Sequence, residues 1–189
     1  MPKLIDTHTH LNFQAFRDDY DQVIDRALEE DVWMVNVGTQ FDTSRRAVEI
    51  AEEYSDGVYA AVGVHPIHLF EHHVDEEETS FNARGEEFNV DSYKELVLCS
   101  TKVVAIGEFG LDYFRMPKGL APKVVQKVQE EVVKQHLFLA KSVDKPAMIH
   151  CRDAYNELYE LLKENYNGPG EIHCFTGTWE QAKKFIDLG

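Results

Sequence analysis

The stretch Val103-Val104-Ala105-Ile106-Gly107-Glu108 is five apolar or small residues closed by a carboxylate. An uninterrupted apolar run this short reads as a strand buried on both faces, the kind found in parallel sheets. Glu108 then falls at the carboxyl end of that strand, where open α/β sheets and barrels build their sites. A carboxylate in such a place is tolerated only beside a cation or hydrogen-bond donors, which favours ligand or catalytic duty over a structural role.

Working outward, short apolar runs at 3–7, 32–38, 58–64, 145–150 and 170–174 repeat this signature. Amphipathic stretches separate them, the pattern of a parallel sheet connected by helices. Residues 17–31 place Val23, Ile24, Ala27 and Leu28 on one face, and 42–55 repeat Ala47, Val48, Ile50, Ala51 and Tyr54 behind a capping Asp42. Pro122 opens a long helix to about 141, Asp153 caps the next, and Thr178 with Gln181 forms a capping box for the last. Gly189 sits where a helix stop belongs. The expected fold is α/β, a TIM-type (β/α) barrel with about six of eight strand-helix units, in a single domain over 1–189.

The long interruption at about 67–90 breaks the alternation before a short helix at 91–99. Residues 71–91 hold eight acids against Arg84, a net −7 of the chain's −15. A solvated acidic insertion and a lid or partner-binding segment are both open readings of it.

The same carboxyl-terminal placement recurs for histidines. His8 and His10, in Ile5-Asp6-Thr7-His8-Thr9-His10, lie two apart and point to one side of a strand. His150 closes Lys145-Pro146-Ala147-Met148-Ile149, and His173 closes Gly170-Glu171-Ile172. Four histidines and a glutamate at the same end of four strands form a coherent ligand set, whereas a structural reading must place each by coincidence. Arg152 offers a planar fork to a phosphate oxygen, with capping or a surface ion pair as the alternative. His65 follows the apolar strand Val62-Gly63-Val64 and either contacts substrate or serves its turn. His68, His72, His73 and His136 receive no site role.

Bulk properties narrow the classes. With 189 residues, 43% hydrophobic and 28% charged, the chain has the composition of a globular domain able to bury a recessed site. No apolar run approaches the roughly 20 residues that span a bilayer, and the amino terminus lacks a secretory pattern, so the expectation is a cytoplasmic protein with no membrane partner. Cys99, Cys151 and Cys174 show no disulfide framework. Cys151 and Cys174 neighbour ligand histidines on strands and so point the other way, which makes them buried structural thiols. The charge of −15 argues against a broad grip on nucleic-acid backbone without excluding a metal-assisted nuclease.

These segments, with Gly63-Val64-His65-Pro66, Ile106-Gly107-Glu108-Phe109-Gly110-Leu111-Asp112-Tyr113, His150-Cys151-Arg152-Asp153-Ala154 and His173-Cys174-Phe175-Thr176-Gly177, resemble the TatD family of metal-dependent hydrolases within the amidohydrolase-like barrels. The resemblance spans the chain apart from the acidic insertion. It implies two divalent ions, one held by His8, His10 and Glu108, the other by Glu108, His150 and His173, with Glu108 bridging. Zn, Mn, Fe, Ni and Mg all fit such imidazole and carboxylate donors. The implied activity is a deoxyribonuclease that cleaves phosphodiester bonds at single-stranded DNA ends, or in short oligonucleotides, by metal-activated water.

Family members continue for about two further units and carry a metal-binding aspartate on the final strand, for which this sequence has no position. A truncated gene, a chain needing a complementing fragment or neighbouring subunit, and an open sheet with impaired catalysis are the three explanations; the intact earlier motifs favour the first. The first and sixth strands would then expose edges prone to self-association. The alternative functions are an amide or ester hydrolase of the amidohydrolase type, and a metal-binding pseudoenzyme subunit lacking the final Asp.

Overall fold

The computed structural model describes residues 1–75 and 80–189. Six parallel strands form one curled sheet: β1 (Leu4–Thr9), β2 (Val32–Val37), β3 (Val58–Val62), β6 (Val103–Asp112), β7 (Ala147–Arg152) and β8 (Gly170–Ile172), paired in the order β1-β2-β3-β6-β7-β8. Between β3 and β6, the antiparallel strands β4 (Glu71–Asp75) and β5 (Ser80–Arg84) pair with each other apart from the main sheet. The α-helices among the described residues are α1 (Tyr20–Glu29), α2 (Phe41–Glu52), α3 (Val90–Leu98), α4 (Pro122–Ser142), α5 (Tyr155–Asn165) and α6 (Trp179–Ile186), with short 3-10 turns at Gln14–Phe16 and Pro66–His68. The architecture is a six-stranded half-barrel, as the alternation of runs implies.

Strand parity sorts most of the core into two layers, and a register shift against β3 places Val103 and Ala105 of β6, two residues apart, in different ones. Met34, Val58, Ala60, Val62, Val103, Ala147 and Ile149 pack under the helices with Ile24, Ala47, Ile50 and Leu158. Val35, Val37, Ala61, Ala105 and Met148 fill the concave face. The small side chains there suit a curled interior. His150 shares the parity of Met148 and so stands on that concave face, above the packed layer.

Two irregularities of register lie where ligands were expected. The β1–β2 pairing shifts between Asp6 and Thr9, around His8, and the β6–β7 pairing shifts between Ile106 and Phe109, around Glu108. Such shifts re-aim side chains at strand ends. Close approach requires glycine at Gly110: a Cβ there would lie 1.9 Å from the His150 carbonyl oxygen. β6 also runs to Asp112, well past Gly107 where the apolar run ends.

Several local expectations change. Asp42 is not the cap of α2; Gln40 occupies that position, in a reciprocal capping box with Thr43, and Asp42 sits in the first turn. Ala154 rather than Asp153 precedes α5, and Asp153 adopts φ 57°, a left-handed conformation that Asp tolerates. Thr178 and Gln181 do form their capping box. Cys151 is buried, but Cys174 is exposed because its backbone turns at φ 47° just beyond β8. Within the acidic segment, Glu86 is half-buried and accepts hydrogen bonds from the Phe41 N–H at 2.9 Å and the Tyr93 hydroxyl at 2.8 Å. Glu71, Glu87 and Asp91 are exposed, while Glu76, Glu77 and Glu78 lie outside the described residues.

His136, in α4, is fully buried between the rings of Phe88 and Phe109, at centroid distances of 3.6 and 4.6 Å. Its Nδ1–H donates to the Val132 carbonyl at 2.8 Å, and its Nε2 accepts from the Val64 N–H at 3.0 Å. Burial therefore holds it neutral, with its pKa lowered to about 3. The unfolded chain takes up this proton near pH 6.5 and the folded one does not, so the contribution is complete above 6.5 and declines as pH falls toward 3. In urea unfolding, the destabilisation caused by His136→Leu should shrink by about 2 kcal/mol between pH 7 and pH 5; an equal difference at both values would refute the linkage. Gly110→Ala should cost about 1–3 kcal/mol through forced separation of β6 and β7, read by the same method.

Candidate metal centre

The carboxyl ends of β1, β3, β6, β7 and β8 converge on one cavity of about 630 Å³, lined by His8, His10, His65, Glu108, His150, Arg152 and His173 among others. All the site residues expected from the sequence are brought together there. Glu108 is only 4% exposed, and its carboxylate is ringed by imidazoles. His8 Nε2 lies 3.3 Å from Oε2, His150 Nδ1 lies 3.1 Å from Oε1, and His65 Nε2 lies 3.9 Å from Oε1. Burial pushes the Glu108 pKa up, but His65, His150 and His8 overcome that and hold it well below the ordinary carboxylate range. It is an anion at neutral pH, and His8, His10 and Glu108 lie close enough together to hold a cation.

The tautomers sort the histidines by role. His10 Nδ1–H donates to the Val37 carbonyl at 3.0 Å, which leaves the Nε2 lone pair free for a cation. His65 has the reverse arrangement: its Nδ1 accepts from the Ile67 N–H at 3.1 Å, so in the neutral ring Nε2 carries the proton and faces Glu108 as a donor. Burial lowers its pKa to about 3 and keeps it neutral. Burial also lowers the pKa of His10 and of His173, favouring the unprotonated rings that bind metals.

His150 sits between two carboxylates. Its Nδ1 faces Glu108, and its Nε2 lies 3.1 Å from Asp112 Oδ2. Burial works against charge on this ring, yet Asp112 and Glu108 together raise its pKa to about 9. Imidazolium at Nδ1 thus occupies the place a cation would take beside Glu108, with Asp112 orienting the ring from behind.

Asp112 was not singled out in the sequence. It is fully buried, its Oδ1 accepts the N–H groups of Phe114 and Arg115, and its backbone is clamped by the Gln129 amide at 2.9 and 3.1 Å. Its signal was present, because Asp112 stands four residues beyond Glu108 and therefore on the same face if the strand continues through the glycines. Asn36 was also missed: its Oδ1 accepts from the Thr9 hydroxyl at 3.0 Å and the Leu11 N–H at 3.1 Å, pinning the chain on either side of His10. Both are neutralising partners of polar groups that the folded sheet buries.

At the cavity rim the Arg152 guanidinium stacks over the Phe114 ring, 3.9 Å from its centroid. Among the described residues it forms no salt bridge and caps no helix. Cys151 is buried, and burial pushes its thiol up to about 12.

Residues 5–189 match the TatD related DNase family. The chain is 40% identical over 188 residues to the uncharacterized metal-dependent hydrolase YabD of Bacillus subtilis, covering 98% of this chain and 66% of the relative. It is 31% identical over 189 residues to the 3'-5' ssDNA/RNA exonuclease TatD of Edwardsiella piscicida, covering 98% and 65%. The crystal structure of YJJV, a TatD homolog from Escherichia coli K12, superposes with a TM-score of 0.80 at 30% identity, over 98% of this chain and 65% of that one. The chain thus spans about two thirds of the length of these relatives. Those solved TatD-type structures are TIM barrels, so the half-barrel is the corresponding part of a shared fold. With its centre built on the ends of the same parallel strands, this chain belongs to the TatD related DNase family of metal-dependent hydrolases.

Proposed function

We propose that the chain carries the metal centre of a phosphodiesterase that acts on single-stranded DNA ends or short oligonucleotides. The observation that carries this reading is the buried, ionised Glu108 at the focus of His8, His10 and His150, with His173 in the wall and a guanidinium at the mouth of the same cavity. His8, His10 and Glu108 stand close enough together to hold one divalent cation, and Glu108 and His150 stand close enough to hold a second with His65 rather than with the expected His173; the orphaned Nδ1 of His8, buried without a hydrogen-bond partner among the described residues, is accounted for by the first. When bound, such cations polarise a phosphoryl oxygen and activate water near neutral pH.

The chain's own groups do the positioning. Glu108 supplies the shared negative charge that draws the cations together, and Asp112 fixes the orientation of His150. His65 presents Nε2–H into the cavity, placed to donate to a phosphate oxygen once Glu108 is engaged elsewhere. Arg152, stiffened by Phe114, presents a planar fork to a second oxygen. The net charge of −15 disfavours long duplex, whose binding rests on many Lys and Arg contacts, and leaves a single strand's end as the best-matched ligand. The relative named as a 3'-5' ssDNA/RNA exonuclease supports the same substrate class.

Elemental analysis should find two divalent ions per chain, with at least one lost in His8→Ala and in Glu108→Gln. Unchanged content in both variants would sink the ligand assignment. Arg152→Ala should reduce kcat/KM on a single-stranded oligonucleotide about 10- to 100-fold, the worth of a charged hydrogen bond of about 1.5–3 kcal/mol. Cleavage at the parental rate excludes the contact, and turnover of a carboxylic ester but not of the oligonucleotide would move the assignment to carbonyl chemistry.

A further inference from the structure

The turn that follows β6 is held by hydrogen bonds from two directions. Asp112 is fully buried, and its Oδ1 accepts the Phe114 N–H at 3.1 Å and the Arg115 N–H at 2.7 Å. The Tyr113 N–H donates to the Arg152 carbonyl at 2.9 Å, which sets the residue before Phe114 directly against the end of β7. β6 and β7 each pair with a strand on both sides, so this corner lies away from the outer strands of the sheet. What the corner presents is a phenyl ring. Phe114 is 58% exposed and stands in the wall of the cavity that contains Glu108, the one Phe, Tyr or Trp among the described residues lining it. With the Arg152 guanidinium on one face of the ring, 3.9 Å from its centroid, that exposure leaves much of the remaining ring to solvent.

We propose that Phe114 is a stacking platform for an unpaired nucleobase of the strand whose phosphate Arg152 engages. This rests on the phosphodiesterase reading above and names the part of the substrate recognised beside the scissile group. Base and phosphate are neighbours within one nucleotide, and a π face and a guanidinium are neighbours on this rim. A base laid on the open side of the ring completes a stack of guanidinium, phenyl and base, in which the cation over the ring adds its own attraction.

Two consequences follow for the substrate. Stacking tolerates any sequence, because every base has a π face. It also selects strand state, since a base inside a duplex has both faces covered by its neighbours and must leave the stack to reach the ring. Recognition through a base face suits a chain of net charge −15, which has few basic groups with which to follow a phosphate backbone. The fixed backbone of the turn matters here, because a platform already in place loses little freedom when a base settles on it.

The test measures binding by fluorescence anisotropy with two labelled phosphorothioate strands of equal length, which resist hydrolysis. One bears thymine throughout, and the other is abasic throughout. The parent chain should bind the base-bearing strand at least about tenfold more tightly. Phe114→Leu should bring that ratio close to one, while Phe114→Trp, which keeps a π face, should preserve it. Any loss of Arg152 positioning falls on both strands and cancels in the ratio. A parental ratio near one, a ratio unchanged in Phe114→Leu, or failure to bind either strand would overturn the platform. Cleavage of the ordinary phosphodiester strand with Mn²⁺ is measured separately. A tenfold ratio without hydrolysis removes the phosphodiesterase reading and leaves the platform, and hydrolysis with a ratio near one does the reverse.

Discussion

The architecture of the site depends on one buried negative charge. An unpaired carboxylate at the depth of Glu108 would cost several kcal/mol after relaxation. The fold meets this by aiming three imidazoles at it from β1, β7 and the turn after β3. Each of those rings is in turn held from behind: the position of His8 by the shifted register of β1, His65 by the Ile67 N–H, and His150 by Asp112. Removing any one support loosens the charge balance at Glu108, and the centre is best understood as a neutralisation problem solved by backbone geometry.

That geometry is most visible along β6. The strand places Glu108 and Asp112 on one face with Gly110 midway, and Gly110 pairs in register with His150. His150 therefore lies opposite the gap between two carboxylates on its neighbouring strand, and each of its ring nitrogens meets one of them. Only a residue without Cβ lets the His150 backbone approach closely enough. The spacing Glu-x-Gly-x-Asp is thus a single device: two anions and a cleft for the imidazole between them. The Gln129 clamp on Asp112 connects this device to α4, the same helix that carries the neutral His136 in the core.

Much of this was legible in the residues. The period-2 pair His8 and His10, and the habit of polar residues closing apolar runs, placed the site at one end of a parallel sheet because strand parity and chain direction are local properties. What escaped came from pairing between elements. The apolar run reads as a strand ending at Gly107, whereas pairing with β7 carries β6 on through Gly110 to Asp112. Glu86 reads as one more acid in a charged run, yet its carboxylate satisfies the Phe41 N–H at the start of α2 and the Tyr93 hydroxyl, partners 45 and 7 residues away. The expected cap at Asp42 failed for a similar reason, since the chain enters α2 two residues earlier, where the Gln40 and Thr43 side chains reciprocate.

The two outer strands of the described sheet differ in character along their length. Leu4 and Ile5 at the start of β1 are 61% and 48% exposed, whereas His8 on the same strand is nearly buried. The edge is therefore apolar and uncovered at one end, polar and covered at the other. Beside β8, Ile149, Leu162, Ile172, Phe175 and Phe185 line a further cavity of about 480 Å³, so the apolar surface continues around the sheet's last strand. At the carboxyl ends the His8 ring of β1 stacks on the His173 ring that follows β8, with centroids 3.5 Å apart, so the curvature of the sheet and the electrostatics of the site meet at one place. A half-barrel that keeps its ligands converged does so through the charges those ligands share.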